Sequence, residues 1–138
     1  MEASQTQAPN LVEVVKNYLL SIVEEVPGIK ALVLDGETTR IVSLACQKSV
    51  LLSHEVFLIE TIENFSGKQF PYMKAICLLR TTEDNKKLLC QLIKNSTFAE
   101  FYLYFTSIPY SMSSQSLMQE IAQSDEHSLV KCVQVWPS

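Results

Sequence analysis

The sequence predicts an α/β fold, a three-layer sandwich whose mostly parallel, flavodoxin-like sheet is flanked by helices. Three observations carry that prediction. Ile29–Leu34, Val56–Ile59, Met73–Leu79 and the aromatic Phe98–Phe105 are short apolar runs with the length of strands covered on both faces. Between them, apolar residues return at helical spacing. Such alternation requires crossover connections and therefore parallel strands. A chain of 138 residues, 47% hydrophobic and 19% charged, is long and apolar enough for one domain without a disulfide or metal staple.

The elements follow in order. Residues 1–10 are polar and read as a flexible lead. Asn10 can cap a helix, with Glu13 three residues on as in a capping box. Leu11, Val14, Val15, Tyr18, Leu19, Ile22 and Val26 form its inner stripe, and Pro27-Gly28 ends it. After the first strand, Asp35-Gly36 turns the chain into a short helix over Thr38–Cys46, with Ile41, Val42, Leu44 and Ala45 inward. Ser49–Ser53 is a further turn, and Asn64–Gly67 is a polar loop before the third strand.

Thr82 caps a helix reaching Asn95, with Glu83 and Asp84 at its positive end and Leu88, Leu89, Leu92 and Ile93 inward. Ser113 or Ser114 opens a helix containing Leu117, Met118 and Ile121. Asp125 or Ser128 begins another, containing Leu129, Val130 and Val133. The domain then spans residues 11–136, with 137–138 a truncated end, and the sheet stops at its fourth strand.

Composition excludes several chemistries. Gly28, Gly36 and Gly67 are too far apart for a phosphate-cradling loop, which removes the common nucleotide motifs. A net charge of -4, with only Lys86-Lys87 adjacent among the basic residues, leaves no stripe for nucleic acid and no polybasic membrane anchor. Cys46, Cys77, Cys90 and Cys132 form no C-x-x-C pair and read as reduced core thiols. His54 and His127 are too few for a zinc site, so neither metal nor cofactor is expected. No leader and no spanning run is present, and the chain reads as soluble and cytosolic.

Asp35, Glu60, Arg80 and Thr106-Ser107 fall at the carboxyl ends of the four strands, where sheets of this kind bind ligands. Their bland reading, ordinary turn chemistry, outweighs a metal or phosphoryl site. Cys46 with His54 as a nucleophile pair is weaker still. The last two helices present Leu117, Met118 and Ile121 opposite Leu129, Val130 and Val133. That is either core or a groove for a short apolar anchor.

Ala31-Leu-Val-Leu-Asp35-Gly-Glu-Thr-Thr39, Ile41-Val-Ser43, Glu55-Val-Phe-Leu-Ile-Glu60, Met73-Lys-Ala-Ile-Cys-Leu-Leu-Arg80 and Phe101-Tyr-Leu-Tyr-Phe105 occur in one order and spacing. Together they resemble the N-terminal domain of the SM family, the Sec-one/Munc-eighteen-like syntaxin-binding proteins. Glu37-Thr-Thr39, Lys74-Ala-Ile-Cys77 and Ser124-Asp-Glu126 point to its vacuolar protein sorting forty-five branch. The resemblance implies a non-enzymatic regulator of SNARE-dependent docking and fusion in endosomal, Golgi or vacuolar transport. It implies peripheral recruitment to those membranes through SNAREs. An outer pocket for a syntaxin N-terminal peptide falls on Leu117, Met118, Ile121, Val130 and Val133. A cleft surface gripping the syntaxin helical bundle falls on Arg40 and Glu60, with Asp35 supporting the turn. Gln47 stands where neuronal-type members carry a basic residue, and Val135 where members often have Glu. The resemblance also implies a fifth strand beyond this chain's end. Two other readings compete: a stand-alone interaction domain with no SNARE role, and a degenerate hydrolase or phosphoryl-transfer domain using Asp35 or Cys46.

Overall fold

A computed structural model describes residues 11–106 and 114–136. The elements are α1 (Leu11–Glu25), β1 (Lys30–Leu34), α2 (Gly36–Ala45), α3 (Lys48–Ser53), β2 (Val56–Thr61), one 3-10 turn (Ile62–Phe65), β3 (Phe70–Leu79), α4 (Glu83–Lys94), β4 (Phe98–Thr106), α5 (Ser114–Ser124) and β5 (Val130–Trp136). The strands form one sheet in the order β2-β1-β3-β4-β5, and every pairing is parallel. This is the flavodoxin-like order, with its switch point between β1 and β3.

The apolar runs form strands because each strand feeds two cores at once. Leu32, Leu34, Ile76 and Leu78 pack with Val15, Leu19 and Ile22 of α1 and Val42 of α2. Ala31, Val33, Cys77 and Leu79 point the other way, into a core shared with Leu89, Leu92 and Ile93 of α4 and Leu117 and Ile121 of α5. With a period of two, a strand buried on both faces must be apolar throughout. At the amino end of the second core, Phe98 meets Phe65, Phe70 and Phe101 at ring-centroid distances of 5.5, 5.2 and 5.7 Å.

Several boundaries differ from the sequence reading. The second helix starts at Gly36, two residues before the expected Thr38, because the Asp35 side chain caps it. Ser49–Ser53 belongs to a six-residue helix, and Asn64 lies in the 3-10 turn. Leu11, Val14 and Leu44, placed inward from periodicity, are exposed. Asn10, Ser107, Ser113 and Pro137 lie outside the described residues, and so does the lead over residues 1–10.

The largest correction concerns the end of the chain. The helix expected to hold Leu129, Val130 and Val133 is a strand, so the sheet has five strands and does not stop at the fourth. The reason is local. Phe101 pairs with Val130 and Tyr102 with Cys132, so Lys131 is an extra, bulged residue. The bulge places Val130 and Val133, three apart, on one face. That spacing is the mark of a helix when read in sequence alone.

Candidate functional site

The carboxyl ends of β1 and β3 meet at the switch point, and Asp35 occupies it. Its backbone is extended, and its side chain closes a capping box with Thr38. Oδ1 accepts the Thr38 N–H at 2.8 Å. Oδ2 accepts the Arg80 backbone N–H at 2.9 Å, the Arg80 Nε–H at 3.1 Å and the Asn85 amide at 2.8 Å. The Thr38 hydroxyl takes the Asp35 N–H at 2.9 Å and reaches the Leu78 carbonyl at 2.8 Å, tying β1, α2 and β3 together. Asn85 also donates to the Arg80 carbonyl at 2.9 Å.

This network explains the acidity of Asp35. Burial alone would push its carboxyl up. The N–H groups of Thr38 and Arg80, the Arg80 guanidinium and the Asn85 amide outweigh that and hold it below the usual carboxylate range. Both oxygens already face protein donors, so the carboxylate serves as a structural keystone and has no side turned to a metal or phosphoryl group. Among the described residues, no three His, Cys, Asp or Glu side chains gather as metal ligands. Cys46 is buried, which raises its thiol pKa, and its Sγ reaches the Gln47 carbonyl at 3.7 Å. A nucleophile requires the opposite shift. The hydrolase reading therefore loses both of its proposed groups.

Arg40 and Glu60, the other expected cleft residues, stand near the same end of the sheet and make only local contacts. Arg40 approaches Glu37 at 3.6 Å on an exposed face of α2, and Glu60 accepts the Asn64 amide at 2.8 Å. Asp35 joins neither; its partners are Thr38, Arg80 and Asn85. Sequence reasoning missed Thr38 and Asn85 in this role. The D-x-x-T pattern of Asp35 and Thr38 carried a signal, as did a polar Asn inside the first turn of a capped helix.

The residues expected to line a peptide pocket are placed differently from the expectation. No groove runs between two helices, because Val130 and Val133 lie on the edge strand β5. Leu117 and Ile121 are 3% exposed each and belong to the second core, with Leu129, Val130 and Val133 packed partly against it. Met118 is 44% and Val135 54% exposed. Val133 and Val135 pair with Leu103 and Phe105, so they share the face that carries α5. What stands there is a set of partly exposed apolar side chains at the sheet edge, Val130, Val133 and Val135 on β5 and Met118 on α5. Both of its flanks are fixed. The Asp125 carboxylate accepts the Leu129 and Val130 N–H groups at 2.7 and 3.0 Å, which sets the start of β5. Lys86 of α4 bonds Glu120 of α5 at 2.7 Å and also pairs with Glu83. Its hydrogen bonds to Glu120 and Glu83 push its pKa up to about 12.

A family model described as "Sec1 family" matches residues 30–137. The chain is 38% identical over 120 residues to the vacuolar protein sorting-associated protein 45 of Dictyostelium discoideum, covering 87% of this chain and 20% of that protein. It is 35% identical over 126 residues to the mouse protein of that name, covering 91% and 21%. The chain thus spans about a fifth of the length of these relatives. In the solved structure of the SM protein Vps45 in complex with the Qa SNARE Tlg2, the matching region superposes with a TM-score of 0.82. Identity there is 29%, over 91% of this chain and 22% of that one. A family model matched over most of the chain, relatives at 35–38% identity and the shared parallel-sheet fold agree on one conclusion: this chain belongs to the Sec1 family.

Proposed function

We propose that this chain is a SNARE-recognition module of the vesicle docking and fusion machinery, and that its role is regulatory and not catalytic. The observation that carries the reading is the apolar strip on a Sec1-family domain: Met118 and Val135 exposed, Val130 and Val133 partly so. Its occupant is the N-terminal peptide of a syntaxin-type SNARE. A Leu or Phe near the peptide's N-terminus lies against Met118, Val130 and Val133, with Leu117 and Ile121 as the floor. Full burial of one such side chain is worth about 1.5–3 kcal/mol. The net charge of -4 steers basic peptide residues and acts mainly on the on-rate. Arg40 and Glu60 form a second, polar contact for the SNARE's helical bundle, each oriented by its own local partner, Glu37 and Asn64. Through such partners the chain works at endosomal or Golgi membranes.

The deciding experiment is calorimetric titration with N-terminal peptides from a panel of Qa SNAREs. At least one peptide with an early Leu or Phe binds, and Met118→Arg abolishes that binding while leaving the circular dichroism spectrum unchanged. Arg40→Glu leaves the peptide affinity intact and weakens binding of the SNARE helical bundle. If no peptide binds, the function is wrong; if Met118→Arg binds like wild type, the strip is the wrong surface.

A further inference from the structure

Three elements hold the strip: the core beneath it, the Asp125 turn at one end, and an ion cluster on the far side of α5. Only the last has no evident role in the core. At roughly 100° per residue along a helix, Met118 and Glu120 stand about 80° to either side of the buried Leu117–Ile121 line. Met118 faces the strip and Glu120 faces α4, where the Lys86 side chain, 11% exposed, lies between Glu120 and Glu83. Leu117 and Ile121, one turn apart, seat one line of this short helix on the core, and the grip on Glu120 adds a second point of attachment on the α4 side.

Lys86 is also well anchored. Its chain neighbour Asn85 donates to the Asp35 carboxylate and to the Arg80 carbonyl. The first turn of α4 is therefore fastened to the switch point on one side and to α5 on the other. On the α5 side, Ser124 donates to the Glu120 carbonyl at 3.0 Å, closing the end of the helix.

We propose that Lys86, through Glu120, is a positioning residue for the peptide strip: it sets the roll of α5 and hence the direction of Met118. This rests on the strip being the peptide site. Neither residue touches the peptide.

The test uses the 138-residue chain with Lys86→Leu, Lys86→Arg and Glu120→Gln, the last a milder change at a half-exposed position. Two readouts are taken: peptide affinity by calorimetry, and the Met118 methyl resonance in 13C-methyl-methionine-labelled protein without peptide. Lys86→Leu is expected to weaken the peptide about fivefold, within the range of residues that act at one remove from a ligand. Glu120→Gln should do the same in part, both should shift the Met118 methyl signal, and Lys86→Arg should restore affinity and signal together. A purely structural lysine would lower the melting temperature and move neither. Wild-type affinity in Lys86→Leu together with an unmoved Met118 signal overturns the proposal. Should no peptide bind even wild type, the strip reading falls by itself. The Met118 signal then decides whether the Lys86–Glu120 pair orients Met118: a shift in Glu120→Gln or Lys86→Leu supports it, and no shift refutes it.

Discussion

Replacing Asp35 with Asn keeps the volume and removes one acceptor oxygen. The amide oxygen of Asn can keep the cap on Thr38, but its NH2 then confronts the Arg80 backbone N–H, the Arg80 Nε–H and the Asn85 amide, all donors to Oδ2 in the native chain. Asn85 retains the Arg80 carbonyl as acceptor. The Arg80 guanidinium, 42% exposed, can turn to water, so its loss is discounted to about 0–1 kcal/mol. The Arg80 N–H is stranded at about 1–3 kcal/mol. The sum is about 1–4 kcal/mol, centred at about 2.5, and with a urea slope of about 2 kcal/mol per molar the midpoint falls by about 1.2 M at pH 7. The carboxyl is more acidic folded than unfolded, so its contribution is complete above the unfolded value and fades as pH falls through the folded one. The gap between wild type and Asp35→Asn should hold from pH 7 to about 5 and close below about 4. Urea titrations at pH 7, 5, 4 and 3, followed by circular dichroism, measure it. A loss under about 0.5 kcal/mol at pH 7, or a gap that ignores pH, would refute the keystone argument.

Two further outcomes follow from the cores. Phe98→Ala removes the ring that meets three others at the amino end of the second core, and it should cost about 3–5 kcal/mol in urea unfolding, against under about 1 for the exposed Tyr72→Ala. Burial pushes the Cys77 thiol far up, whereas Cys90 and Cys132 are partly exposed. Iodoacetamide on native protein should therefore alkylate Cys90 and Cys132 first and Cys77 only on unfolding, as read by peptide mass spectrometry; equal rates would contradict the packing.

Four strands were legible as short apolar runs, most clearly where both faces are buried, as in Ala31–Leu34 and Ala75–Leu79. Val56–Ile59 and Phe98–Phe105 came within two residues of the observed ends, and Met73–Leu79 lacked only the more exposed start from Phe70. The fifth was hidden because a bulge converts a period of two into a spacing of three. Leu11, Val14 and Leu44 misled for another reason: helical spacing fixes a face but does not say how wide the buried stripe is. Asp35 was found by its place after the first strand, yet its partners Arg80 and Asn85 lie 45 and 50 residues away. No local pattern reports a contact made by folding. For the proposed peptide site, the residue types stood out in the sequence, while their division into buried and exposed positions depended on which element held Val130 and Val133.

The bulge at Lys131 also lets the last strand carry one residue more than its neighbour without a change of face. Were Lys131 instead taken into the ladder as an ordinary strand residue, every side chain from Cys132 onward would exchange faces. The Cys132 thiol, which contacts the Tyr104 hydroxyl at 3.7 Å, would turn to the α5 side, and Val133 and Val135 would turn beneath α1. Substitutions at Lys131, exposed and opposite no residue of β4, should therefore be nearly silent, and its deletion would join Val130 directly to Cys132 in plain alternation, leaving these and all later side chains of β5 on their present faces.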